Sequence, residues 1–214
     1  MSDVTAWEYV TVPLLTHATK QILDQWGADG WELVSVLPGP TGEQHVAYLK
    51  RPKAEAMGTW TQRLDELGIE LPTAPTPVAN YVPAVRSGNL VYTSGQLPFV
   101  NGELSIHGKV CTGAEGVVKP DEATAAARQC TINALAAING LVGLDSIVRV
   151  VKVTGFVASA PGFTGQPGVL NGASDLLGEI FGEAGVHARS AVGVTELPLG
   201  APVEVELVVQ VADA

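Results

Sequence analysis

The residue most capable of chemistry in this chain is Arg189. It sits in Ala188-Arg189-Ser190-Ala191-Val192-Gly193-Val194, an otherwise small and apolar stretch with the character of a strand. A charge there is expensive to bury unless an anion meets it. The guanidinium offers a rigid fork of donors that matches a carboxylate. Two readings follow: a receptor for a small carboxylate, or a structural ion pair with Glu196, Glu204 or Glu206. Other reactive side chains lack a supporting pattern. His107 and His187 have no Ser or Cys context that would make a triad, and both read as surface groups. Cys111 and Cys130 lie in no Cys-x-x-Cys or Cys/His spacing, so neither a metal site nor a cofactor is expected, and Cys130 reads as a small core filler.

Composition narrows the partners. The chain has 214 residues, 46% hydrophobic and 16% charged, which favours well-packed globular domains over a solvated chain. The formal net charge is -10 and no Lys/Arg cluster is present, which argues against nucleic acid and against anionic membrane surfaces. A local cationic pocket for a small acid remains compatible with that balance. No basic-then-apolar leader opens the sequence, and apolar runs such as 134–144 are too short to span a bilayer, so a cytoplasmic protein is expected.

The elements that must position Arg189 fall into two units. The first, residues 1–53, reads as β-α-β-β: strands over 7–12, 31–37 and 45–50, with a helix over 16–26 ended by Gly27 and Gly30 and a turn over 38–42. Trp7, Trp26 and Trp31 either line a groove or fill a core too small to close without large aromatics. Residues 54–59 read as a linker. The second unit, 60–214, starts with the capping box Thr59-x-x-Gln62 and a short helix stopped by Gly68, then an irregular Pro-rich stretch over 72–77. Strands are expected over 81–86, 90–93, 146–157, 188–196 and 203–211, with a Gly-rich loop over 102–118 and helices over 121–139 and 170–181. Two helices on one mixed sheet make an α+β layer fold. One sheet face would stay uncovered, carrying the apolar row Val203, Val205, Leu207, Val209 and Val211, and such a row argues for self-association.

Two family resemblances follow from motifs. Gly30-Trp31-Glu32-Leu33-Val34-Ser35-Val36 and Leu49-Lys50-Arg51-Pro52 resemble a small bacterial domain, the DUF4177 family, which implies no activity. The stretch Tyr81-Val82-Pro83-Ala84-Val85-Arg86-Ser87-Gly88-Asn89-Leu90-Val91-Tyr92-Thr93-Ser94-Gly95-Gln96-Leu97-Pro98 resembles the opening of the RidA (YjgF) family. Ala188-Arg189-Ser190, Leu197-Pro198 and Val203-Glu204-Val205-Glu206 resemble its ending. The resemblance implies a chorismate mutase-like fold, a homotrimer with sites between subunits, and hydrolysis of reactive enamine or imine intermediates such as 2-aminoacrylate to 2-keto acids and ammonia. It puts the carboxylate-gripping arginine on Arg189, the water-positioning glutamate on Glu204, the pocket tyrosine and serine on Tyr81 and Ser94, and an asparagine on Asn171, one residue off the family spacing. Where many members carry cysteine, Ala191 stands here, and the substrate contact at that position is through the backbone. The loop over 102–118 is longer than in the deaminase branch, which points to a less characterised branch.

In the implied mechanism Arg189 fixes the carboxylate of a 2-imino acid and Glu204 orients or deprotonates a water. If strands 188–196 and 203–211 form a hairpin turning near Leu199-Gly200, Glu204 lies opposite Thr195 and Arg189 opposite Gln210, about 20 Å apart along the sheet. Either a neighbouring chain then supplies one of them, which fits a trimeric interface site and is the preferred reading, or the hairpin is not this regular. Structural alternatives stand beside each role: Glu204 and Glu206 as a solvated strand face, Tyr81 as packing, Ser94 as a turn residue. At the level of function the alternatives are a non-catalytic module that retains a small carboxylate, and an endoribonuclease, which the acidic balance and the missing His pair disfavour.

Overall fold

A computed structural model of the chain describes residues 7–39, 44–52, 59–73, 80–113 and 117–212. All of the expected linker but Thr59, most of the Pro-rich stretch, most of the 38–42 turn and the middle of the 102–118 loop lie outside the described residues. The chain divides into two compact units, 1–57 and 58–214.

The first unit contains β1 (Trp7–Leu14), α1 (Thr19–Ala28), β2 (Glu32–Pro38) and β3 (His45–Pro52). Its antiparallel sheet has the order β1-β3-β2. The core is small: Val12, Leu14, Ala47 and Leu49 are buried, with Ile22, Leu23, Trp26 and Trp31 packed on them. Trp26 and Trp31 meet edge-to-face at 5.6 Å, and so fill the core. Trp7 instead lies under the Lys50 ammonium at 3.9 Å. The helix begins three residues later than expected and runs through Gly27, whereas Gly30 turns the chain at φ +82°.

The second unit opens with α2 (Trp60–Leu67), capped by Thr59 and Gln62 reciprocally as the sequence predicts. Then come β4 (Ala84–Ser87), β5 (Leu90–Thr93), the short β6 (Phe99–Val100) and β7 (Glu103–Leu104), α3 (Pro120–Val142) and β8 (Ile147–Ala158). A short α4 (Gln166–Val169), α5 (Asn171–Phe181), β9 (Ala188–Val194) and β10 (Val203–Val211) complete it. Gly88, at φ +62°, makes the β4–β5 turn. Pro120 opens α3, and the Lys119 N–H donates to Glu122 Oε2 at 2.8 Å.

The five-stranded sheet has the order β4-β5-β10-β8-β9, mixed because β8 and β9 run parallel. This corrects the expected closing hairpin. β9 and β10 do not pair; β8 lies between them, antiparallel to β10 and parallel to β9. A parallel pair needs a crossover, and α4 with α5 supply it.

The apolar row is corrected as well. Val203, Val205, Leu207, Val209 and Val211 are at most 1% exposed, sealed into the core with Ala127, Ala134 and Leu177 of the helices. The uncovered face carries the alternate residues Glu204, Glu206, Val208 and Gln210, all partly exposed. That face is therefore mixed in polarity and not an apolar row.

Candidate active site

Arg189 lies on the edge strand β9 and pairs with Val153, whose side chain is buried on the helical face of the sheet. Its guanidinium projects to the same face, towards α5. Nη1 donates to Asn171 Oδ1 at 3.0 Å and to Ser174 Oγ at 3.0 Å. Asn171 and Ser174 are three residues apart, so one helical face presents both acceptors. None of the three acids proposed as ion-pair partners meets Arg189. Glu196 pairs with Lys109 at 2.6 Å, and among the described residues no carboxylate lies within salt-bridge distance of Arg189. Both hydrogens of Nη1 are therefore committed to neutral acceptors. Nε and Nη2, the edge that grips a carboxylate side-on, have no protein partner among the described residues. Ala191 stands two residues along the same face, half-buried and small.

Behind the arginine runs a relay that the sequence did not reveal. Ser174 Oγ lies 3.1 Å from His187 Nε2, and His187 Nδ1 lies 2.6 Å from the Gly185 carbonyl oxygen. His187 is half-buried and tied into this network, which corrects its expected place as a free surface group. The available signal was the Asn171-x-x-Ser174 spacing on a helix leading into an apolar strand. Residue His187 also lines a groove of about 590 Å³ with Asn89, Leu90, Arg149 and Gln210.

The other predicted residues gather elsewhere. β5 pairs with β10 only from Leu90 to Tyr92. The chain then leaves the ladder, held by Thr93 Oγ1, which accepts from the Leu207 N–H at 3.0 Å. It rejoins at Gln96, whose N–H and C=O both bond Val205. Asn133 of α3 anchors the next residues, donating to the carbonyls of Leu97 and Phe99 at 2.8 and 3.0 Å. In the gap, Gly95 lies so close to Glu204 that a Cβ there would stand 1.6 Å from Glu204 Oε1. Ser94 Oγ donates to the Val82 carbonyl at 2.7 Å, which ties the segment carrying exposed Tyr81 to the same corner. Tyr81, Ser94 and Glu204 thus belong to one corner of the sheet. Burial, reinforced by the like charge of Glu206, pushes the Glu204 carboxyl above its ordinary range.

The two groups are separate within one chain. Arg189 registers with Val153 and thence Leu207, three positions from Glu204 and two strands away. Strand geometry puts their backbones about 14 Å apart. Glu204 points to the open face and Arg189 to the helical face, so a small ligand cannot touch both. The expected failure to meet within one chain stands, although its cause is an intervening strand and opposite faces and not a long hairpin.

Residues 71–211 match the family model described as Endoribonuclease L-PSP. The chain belongs to that family, also known as RidA/YjgF. Relatives of this chain include Protein TCP17 of Trypanosoma cruzi, 45% identical over 72% of this chain and 96% of that protein. The 2-iminobutanoate/2-iminopropanoate deaminase of Dermatophagoides farinae is 33% identical over 66% of this chain and 93% of its own length. Among solved structures, a protein of unknown function from Agrobacterium tumefaciens is 43% identical, covering 72% of this chain and 92% of that one, with a TM-score of 0.64. The α+β layer with its mixed sheet is the fold of this family. Residues 1–70 lie outside the family match. Among the described residues no helix is long and apolar enough to cross a membrane.

Proposed function

We propose that this chain hydrolyses enamine and imine intermediates of the 2-aminoacrylate type to 2-keto acids and ammonia, in a homotrimer whose sites form between copies. The observation that carries the reading is Arg189, held by neutral acceptors with its side-on edge unpaired among the described residues. A 2-imino acid brings a carboxylate to that edge and sets the electrophilic C=N carbon beside it. Glu204 from a neighbouring copy takes a proton from water as the oxygen bonds that carbon. From the protonated imine this gives a carbinolamine; Glu204 returns the proton to its nitrogen, the C–N bond breaks with loss of ammonia, and the hydroxyl proton passes to Glu204 as the water oxygen becomes the keto oxygen. Tyr81 and Ser94 shape the pocket around the nitrogen, and Ala191 contributes backbone contact. Asn171 acts behind the arginine, as one of its two acceptors. The deaminase name carried by the mite relative supports the same class of substrate. Residues 1–53 are read as a DUF4177-like module with no catalytic part.

Purified protein is mixed with freshly generated 2-aminoacrylate or a 2-imino acid, and ammonia and keto acid are followed. Acceleration is expected in the wild type and is lost in Arg189→Ala, whose carboxylate affinity drops about 100-fold or more with two charge-assisted bonds removed. No acceleration would overturn the reading. A second reading is favoured by the separation of Arg189 from Glu204 within one chain: the arginine pocket simply retains a small carboxylate. Keto-acid binding without turnover would establish it. An RNA arm of the assay addresses the activity in the family's own description, which a net charge of -10 does not favour.

A further inference from the structure

We infer that His187, acting through Ser174, is a positioning residue that aims the free edge of Arg189 at the substrate carboxylate; this rests on the carboxylate-binding reading of Arg189. With the His187 ring neutral, the chemistry of the donors fixes every hydrogen in the relay. A guanidinium only donates, so Ser174 Oγ accepts from Arg189 Nη1 at 3.0 Å. The separation of 2.6 Å between His187 Nδ1 and the Gly185 carbonyl oxygen requires a hydrogen between them, and the carbonyl has none to give. Nδ1 therefore carries the proton. In a neutral ring Nε2 is then an acceptor, and the single hydrogen of Ser174 points to it across 3.1 Å. The lone pairs of Ser174 are left directed at Arg189. The relay runs Arg189 to Ser174 to His187 to the Gly185 carbonyl, with each donor facing an acceptor.

The arrangement uses up Nη1 and spares Nε and Nη2. A longer or acidic partner in place of Ser174 would neutralise the guanidinium and compete with substrate. A serine without His187 would be free to turn its hydrogen towards the arginine, where it would be repelled. His187 removes that option by taking the serine hydrogen on Nε2. It touches no substrate, so its effect is on the orientation of Arg189 and on affinity.

Full-length wild type, His187→Ala, Ser174→Ala, the double variant and His187→Gln are titrated with 2-oxobutanoate by calorimetry, and histidine ring tautomers are read by nitrogen-15 NMR. His187→Ala and Ser174→Ala are each expected to weaken binding about tenfold, the double variant no more than Ser174→Ala alone, because both act in series. His187→Gln restores affinity, since its Oε1 replaces Nε2 as acceptor. The His187 ring is expected as the Nδ1–H tautomer. Additive losses, no rescue by glutamine, or an Nε2–H tautomer would overturn the relay. Absence of keto-acid binding in the wild type would instead remove the carboxylate reading. The relay is then judged by the Arg189 side-chain resonance, sharp in wild type and His187→Gln and broadened in His187→Ala; equal sharpness in all three overturns it.

Discussion

Glu204 combines two properties of a general base. Its carboxyl stands half-buried against Gly95, and burial, aided by the charge of Glu206, holds its proton to higher pH than an ordinary glutamate does. The acid limb of the pH–rate profile should then lie above the ordinary carboxylate range, because only the ionised form accepts a proton. Glu206→Gln removes the like charge and leaves the burial. The limb should move to lower pH in that variant without reaching the value of an exposed glutamate. Steady-state rates of ammonia release across pH test this, and an unmoved limb would dissociate Glu204 from the reaction. Stability should follow the same titration with a definite sign. A carboxyl whose folded pKa exceeds its unfolded one contributes stability below the unfolded pKa and loses it as pH rises through the folded pKa. The thermal midpoint of the wild type should therefore fall relative to Glu204→Gln over that interval.

The helix α5 connects packing to chemistry, since it carries Asn171 and Ser174 to the arginine. It can approach α3 only because residue 172 is glycine: a Cβ there would stand 2.0 Å from the Thr124 carbonyl oxygen, a backbone atom that cannot swing aside. Gly172→Ala is expected to destabilise the fold by about 1–3 kcal/mol through overpacking. The displaced helix should also lose affinity for 2-oxobutanoate, measured by denaturant titration alongside calorimetry; retained stability and affinity would show that the two helices have slack. At this scale much was legible in the sequence. The bounds of β10, the cap of α2 and the β4–β5 turn all follow from alternation, a capping box and Gly88. Alternation shows that a strand has two unlike faces and not which face the helices will cover, and so Val203 to Val211 were placed on the wrong side. The short link 197–202 reads as a hairpin, but β8, α5 and β9 form a β-α-β unit, and that handed crossover puts β9 beside β8. Arg189 was identifiable from its apolar surroundings. Ser174 and His187 were not, because their roles arise only when α5 is laid against the edge strand.

The placement of Arg189 and Glu204 constrains how copies must associate if both serve one reaction. They occupy different faces and have strand β8 between them, so a site using both joins two unlike surfaces. Such a contact is heterologous, and a heterologous contact that closes gives a ring, here the proposed trimer. Consider the variants Arg189→Ala and Glu204→Gln, each inactive alone. Every chain in a mixture lacks one group, so a site built within a single chain would remain dead. A site between copies is different: an interface where a Glu204→Gln chain supplies arginine and an Arg189→Ala chain supplies glutamate is whole. In a trimeric ring that holds both variants, about one interface in three meets that condition, whichever variant is present twice. Co-expression of the two variants under separate tags, with purification through both, should recover deaminase activity of that order. Recovery with a wild-type keto-acid affinity at the restored sites would place the reaction between protomers. Failure to recover, in mixed oligomers whose composition is confirmed by mass, would confine Glu204 to a structural role and leave Arg189 as a carboxylate receptor alone.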